Sequence, residues 1–289
     1  MNIRIDAHQH YWAIHRGDYG WITPQLQTLY RDFLPEDLTQ QLKIHHMDGT
    51  IVVQAAPTIE ETEYILELAS KTDSILGVVG WLDLDDTGYQ EQLDRFYKHP
   101  KFVGFRLMIQ DMPDPYKIVQ PHIVQTLQYC AEKDIPVDLL LVSHQIGALL
   151  RLLELVPKLR GVVNHIAKPD IKNGVLEPWS EQMKKVANYE HLYCKLSGMA
   201  TEADQEKWKV SDFTVYIQHI LEVFGPNRVM FGSDWPVCLL TAQYDEVMDI
   251  VTQALPPSWG ESEKARLFGL NALLFYKLNI NNFQPMLTK

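Results

Sequence analysis

The stretch Ile3-Arg4-Ile5-Asp6-Ala7-His8-Gln9-His10 decides how this chain is organised. It begins apolar and ends polar, the pattern of a buried strand that stops at a functional edge. Side chains two positions apart on a strand share a face. Regular alternation therefore turns His8 and His10 the same way, with Asp6 on their side one step deeper. A second stretch, Arg228-Val229-Met230-Phe231-Gly232-Ser233-Asp234-Trp235-Pro236, answers it near the other end as an apolar run stopping on a carboxylate. If the fold closes its first strand on its last, Asp234 meets the two imidazoles.

Between these ends, apolar β-branched runs alternate with helical stripes. A long aromatic loop after His10 gives way to a helix opened by Pro35, Glu36 and Asp37, and a strand then reaches Gln54. Thr58 with Glu61 three residues on reads as a capping box for the next helix. Further strands are expected at about 76–82, 102–107, 136–142, 161–165, 192–197 and 229–231, with a helix after each. Parallel neighbours need such a crossover each time, so eight repeats in one chain predict a single-domain (β/α)8 TIM barrel over residues 1–278 and a C-terminal tail over 279–289. No glycine-rich dinucleotide fingerprint follows any strand, which weighs against an open doubly wound sheet.

The 289 residues are 46% hydrophobic, enough for one large core, and the formal charge of −11 lacks the basic surface that nucleic acid or an anionic membrane would require. A small-molecule partner fits better. Cys130, Cys194 and Cys238 are widely spaced and suit reduced thiols in a cytoplasmic protein. No secretory leader precedes Ile3, and no apolar run has membrane-spanning length.

In a (β/α)8 barrel the carboxyl ends of the strands build the active face. His8, His10, Gln54, Trp81, Arg106, His165, Lys195 and Asp234 fall at or near such ends. One strand histidine would read as a satisfied structural group, but a same-facing pair with a third imidazole and a carboxylate is costly to bury for packing alone, and reads as a site. Arg106, inside an apolar strand, must find an anion or a carbonyl. Lys195 poses the same choice. Trp21, Trp81 and Trp235, with Trp12 and Tyr19, either pad loops or form a stacking wall for a sugar-like ligand. Asp6 either orients a histidine or binds backbone, and Lys168 reads as a loop cap.

His8-Gln9-His10, Asn164-His165-Ile166-Ala167-Lys168-Pro169 and Phe231-Gly232-Ser233-Asp234-Trp235-Pro236 together resemble the amidohydrolase superfamily. Within it the chain is similar to the branch of L-fuconolactonases, L-rhamnono-lactonases and 2-pyrone-4,6-dicarboxylate lactonases. Gly104-Phe105-Arg106, Lys195-Leu196-Ser197-Gly198 and Trp235-Pro236-Val237-Cys238 look most like the fuconolactonase type. Binuclear members of the superfamily carry a lysine on the fourth strand and a histidine on the fifth, where this chain has Arg106 and an apolar run with Asp138, which argues against a two-metal centre.

The resemblance implies hydrolysis of a sugar-acid lactone to the aldonic acid. Asp234 is then the base that activates water, with His8, His10, His165 and Arg106 polarising the carbonyl. Trp21, Gln54, Trp81, Lys195 and Trp235 are the expected substrate contacts. Catalysis without a metal is the expectation, with one zinc ion on His8, His10, Asp234 and His165 as the alternative. A zinc-dependent decarboxylase, another metal-dependent hydrolase of the superfamily and a non-catalytic sugar-acid binding protein are the rival readings. The choice among aldonolactones and the existence of a homo-oligomer stay open.

Overall fold

In the computed structural model, which describes residues 3–279, eight parallel strands form a barrel with helices between them. The strands are β1 (Ile5–Gln9), β2 (Gly49–Val53), β3 (Ile75–Gly80), β4 (Phe102–Met108), β5 (Val137–Leu140), β6 (Gly161–Val163), β7 (Leu192–Leu196) and β8 (Val229–Phe231), each paired with the next in sequence. Residues 280–289 of the expected tail lie outside the described residues. No described helix is long and apolar enough to cross a membrane.

The ring closes where the two ends of the chain meet. His10 N–H donates to the Trp235 carbonyl at 2.7 Å, and Asp234 N–H donates to the His8 carbonyl at 2.8 Å. Gly232 makes this approach sterically feasible, because a Cβ at that position would lie 2.6 Å from the Cβ of His8.

The covering helices form where the sequence carries a 3.6-residue apolar stripe and suitable ends. Helix α1 (Pro35–Ile44) starts on proline, and the Asp37 carboxylate accepts the Leu34 N–H at 2.8 Å. Helix α2 (Ile59–Lys71) shows half of its expected capping box, with the Glu61 N–H donating to Thr58 Oγ1. The other half is absent, because Glu61 turns inward to Tyr19 and Ala55 instead. The ring continues with α3 (Tyr89–Phe96), α4 (Pro121–Glu132), α5 (Ile146–Leu155), α6 (Trp179–Ala187), α7 (Val210–Phe224) and α8 (Tyr244–Ala254). Last, α9 (Glu261–Ala265) passes through a π turn into α10 (Asn271–Phe275).

Two apolar layers result. The larger lies between strands and helices. The smaller fills the lower barrel, where Ile5, Ile51, Val79, Val162 and Met230 pack against Ala272, Phe275 and Tyr276 in and just after α10. Burial of this extent dominates folding, at roughly 25 cal/mol per Å² of apolar surface removed from water.

Candidate active site

The polar groups gather at the carboxyl ends of the strands, but β1 reaches them by a route that simple alternation misses. Asp6 is in register with Thr50, whereas Gln9 is in register with Val52, so the pairing slips by one residue between Asp6 and Gln9. Such a bulge reverses the facing of the residues on its two sides. Asp6 consequently leaves the side of the histidines. Its carboxylate accepts from the Ser233 N–H at 2.9 Å, from the His8 N–H at 3.2 Å and from the Tyr244 hydroxyl of α8 at 3.1 Å. Of the two roles read for it, backbone binding is the one seen, and it ties β1 to the turn after β8. Burial, against these hydrogen bonds, raises its pKa to about 6.

His165 also arrives by an unexpected path. Strand β6 ends at Val163, two residues short of it, and His165, Ile166, Ala167 and Lys168 all have positive φ, from 46° to 59°. This left-handed turn swings the imidazole into the barrel mouth. Gly198, at φ +58°, leaves the space, since a Cβ there would lie 2.3 Å from His165 Nδ1. Asp234 likewise sits past its strand at φ +58°.

Three imidazoles converge on one carboxylate oxygen. The Nε2 atoms of His10, His8 and His165 lie 3.3, 3.7 and 3.9 Å from Asp234 Oδ1. Each ring is held from behind. His10 Nδ1 meets the Val53 carbonyl at 2.7 Å, His165 Nδ1 meets Ser197 Oγ at 2.9 Å, and His8 Nδ1 lies 3.3 Å from Lys195 Nζ. A carbonyl only accepts, so His10 Nδ1 carries the hydrogen of this bond and the Nε2 side of the ring is turned toward Asp234. His10, His165 and Asp234 are each 4% exposed while His8 and Lys195 are fully buried, which puts the open side of the cluster over the first three.

Burial pushes the His8 and His165 pKa values down, that of His165 to about 3, so both rings are neutral near pH 7. At Asp234 burial works against ionisation, yet His165 and His10 outweigh it and hold the carboxyl below its ordinary range. The result is an ionised carboxylate ringed by imidazoles.

The remaining residues divide between the mouth and the interior. Arg106 Nη2 donates to the Gln54 carbonyl at 2.5 Å and to Gln54 Oε1 at 3.3 Å, and its Nε has no hydrogen-bond partner among the described residues. Gln54 thus orients the arginine. Trp21 is 41% exposed and is pinned by its indole N–H to the Ala55 carbonyl, on a loop that Tyr19 anchors to Glu61. Trp81 is half-buried beside α2, its backbone N–H bound by Thr62. Trp235 is buried against Tyr11 and Phe33, and Trp12 packs on Phe33 and Trp21, so these two fill the loop rather than face outward. Lys195 was expected at the substrate; it lies behind His8, sealed on Asp138 at 2.6 Å. Lys168 approaches Glu202 at 3.9 Å. Sequence reasoning assigned no role to Asp138, Ser197 or Tyr276. A lone carboxylate in the apolar strand β5 and a lone ammonium in β7 were the available signal, because two such charges buried in one interior must find each other.

Among the described residues His8 Nε2 is buried without a hydrogen-bond partner, and one ligand atom each from His8, His10 and Asp234 lies within 4.8 Å of the other two. Two imidazoles and a carboxylate are a fitting donor set for one zinc ion. His165 stands beside this group.

Comparisons with known proteins agree with the geometry. The amidohydrolase family model matches residues 5–278. An L-fucono-1,5-lactonase of Burkholderia ambifaria is 36% identical over 282 residues, covering 96% of this chain and 97% of that protein. Another, from Burkholderia multivorans, is 33% identical over 289 residues, covering 96% of each. The crystal structure of an amidohydrolase from Burkholderia multivorans with bound zinc superposes with a TM-score of 0.90 at 33% identity, covering 96% of this chain and all of that one. The expectation of metal-free catalysis is corrected by the zinc in that relative together with the His8, His10 and Asp234 group here. The lysine and histidine that this chain lacks are marks of two-metal centres, and their absence carries no argument against a single ion. By sequence, fold and the placement of its polar groups, this chain belongs to the amidohydrolase family.

Proposed function

We propose that this protein hydrolyses a sugar-acid lactone of the L-fucono-1,5-lactone type to the open-chain acid. The observation that carries the reading is the ionised Asp234 carboxylate encircled by the Nε2 atoms of His8, His10 and His165, in a chain at least 33% identical to two L-fucono-1,5-lactonases.

Asp234 Oδ1 accepts a proton as water attacks the ring carbonyl, and the protonated acid then returns that proton to the departing ring alkoxide. The cost of the developing oxyanion is reduced by the Arg106 guanidinium, which Gln54 aims and burial keeps from bulk water. Trp21, exposed at the mouth, offers a flat apolar face to the sugar ring, with Trp81 beside α2 as a second contact. His8, His10 and Asp234 would hold one zinc ion, with His165 next to it, and such an ion supplies Lewis-acid polarisation and a lowered water pKa. Three buried free thiols and the net charge of −11 support a cytoplasmic protein with no nucleic-acid partner.

The test is a pH-indicator screen of L-fucono-, L-rhamnono- and L-galactonolactones with zinc-loaded protein. Acid release from at least one L-sugar lactone, well above the spontaneous rate, is the expected result. Stoichiometric binding without acid release, or carbon dioxide release from an aromatic acid instead, would overturn it.

A further inference from the structure

We infer that Glu61 is a positioning residue for Arg106, acting through the single peptide unit between Gln54 and Ala55. The inference rests on the oxyanion role of Arg106 given above.

Strand β2 stops at Val53, and the backbone that follows carries the site. The successive carbonyls of Val53, Gln54 and Ala55 receive His10 Nδ1 at 2.7 Å, Arg106 Nη2 at 2.5 Å and the Trp21 indole N–H at 2.8 Å. Three residues of main chain therefore fix an imidazole, the guanidinium and the exposed indole at the mouth. The Gln54 N–H is itself held by the sheet, since it donates to the Val79 carbonyl of β3 at 2.8 Å. The Ala55 N–H lies past the sheet and donates to Glu61 Oε1 at 3.1 Å. That N–H and the Gln54 carbonyl belong to one planar peptide unit and point opposite ways. Holding the N–H on Glu61 thus aims the carbonyl at Arg106. A rotation that freed the N–H would carry the carbonyl away from the guanidinium.

The needs of helix α2 do not account for Glu61. Thr58 Oγ1 already caps the helix, and the Thr58 N–H goes to the Ala56 carbonyl rather than to the Glu61 carboxyl. Glu60 beside it stays exposed, whereas Glu61 is fully buried. Burying a carboxyl is unfavourable unless hydrogen bonds replace its water, and the replacements are the Ala55 N–H and the Tyr19 hydroxyl, the latter at 2.6 Å. Both lead to the mouth, because Tyr19 lies on the loop that carries Trp21. Arg106 depends on this support. It is buried, and among the described residues the hydrogen bonds that orient it are those of Nη2 to Gln54.

The experiment uses full-length, zinc-loaded protein with L-fucono-1,5-lactone, after circular dichroism has established folding. Glu61→Leu removes both acceptor oxygens and is expected to lower kcat at least about tenfold, because a misplaced oxyanion donor loses its strength as the charge develops. Glu61→Gln keeps an acceptor of the same reach for the Ala55 N–H and should recover most of that loss, to within about threefold of wild type. In an Arg106→Met background, Glu61→Leu should cost less than about threefold further, since residues that act as a unit are not additive. General damage to the fold would instead give the same loss in both backgrounds. Rotation of the Arg106 guanidinium is read without lactone, by NMR of protein labelled with ¹⁵N in its arginine side chains, with the Arg106 signals assigned by their loss in Arg106→Met. Separate Nη signals are expected in the wild type and in Glu61→Gln, and averaged ones in Glu61→Leu. A folded Glu61→Leu with a smaller loss of kcat, an equal loss in both backgrounds, or unchanged Arg106 rotation overturns the proposal. Should Glu61→Leu fail to fold, Glu61→Asp, too short by one methylene to keep the Ala55 contact, takes its place with the same expectations. A wild type that hydrolyses no lactone, yet whose Arg106 is released by Glu61→Leu, removes the functional reading and leaves the positioning role standing. An active lactonase in which kcat and Arg106 rotation both ignore Glu61 does the reverse.

Discussion

The backbone N–H of Asp234 donates to the carbonyl of His8 at 2.8 Å, so a hydrogen bond that helps close the barrel also seats a carboxylate over the imidazoles. Residues 226 positions apart are thereby held in fixed relation without relying on flexible side-chain contacts. The site is a consequence of ring closure.

Because Asp234 is the group assigned to take and return the proton, Asp234→Asn should lower kcat by about 10²- to 10⁴-fold. The isosteric amide keeps the backbone bond to His8, and the thermal unfolding temperature of the metal-free protein should move by only a few degrees. Turnover within tenfold of wild type would remove Asp234 as the base.

Stripping zinc with a picolinate-type chelator should reduce turnover about a hundredfold or more, with recovery on zinc addition, since a bound ion contributes several kcal/mol of charge stabilisation. Zinc at one hundred times its Kd should also stabilise the folded state by about 2.7 kcal/mol, seen as a raised unfolding temperature. His8→Ala should abolish that rise. Full activity in protein shown by elemental analysis to hold no metal would refute the metal centre.

The barrel itself was legible because each unit announces itself twice, as a short β-branched run and as a helical stripe. His8, His10 and Asp234 were legible because they stand where apolar strand runs stop. The facing of Asp6 was not, since the bulge between Asp6 and Gln9 leaves no mark in a sequence that alternates regularly through it. Nor was the left-handed turn of His165 to Lys168, which contains neither glycine nor asparagine, though Gly198 opposite it hinted at a close approach. The place of Lys195 was misread because a charge at a strand end looks the same whether it faces the mouth or the interior; its partner Asp138 lies two strands away, and only the closed barrel shows the pairing.

Arg106 tests the oxyanion role. Arg106→Lys retains a positive charge but loses the planar fork that Gln54 orients through two contacts. The expected loss is about 10²- to 10³-fold, carried by kcat more than by KM, because the interaction strengthens as the oxyanion forms. A change confined to KM would make Arg106 a ground-state substrate contact.

Glu61 gives a pH dependence with a definite sign. Burial raises its pKa from 4.5 to about 7 even though Tyr19 and Ala55 donate to it. Between these two values the unfolded chain has lost the proton that the folded protein keeps. The folded state therefore binds more protons, and stability falls as pH rises through the window. The stabilisation is complete below about pH 4.5 and is gone above about pH 7, a change of roughly 3 kcal/mol. Other groups, His165 among them, titrate with the opposite sign, so the wild-type curve alone does not isolate the effect. Glu61→Gln removes only this titration. The difference in urea-unfolding free energy between wild type and Glu61→Gln should shift by about 3 kcal/mol against the wild type from pH 4.5 to pH 8. Parallel curves across that range would show that Glu61 stays ionised in the folded protein, and the Tyr19 hydroxyl would then be donating to a buried carboxylate anion.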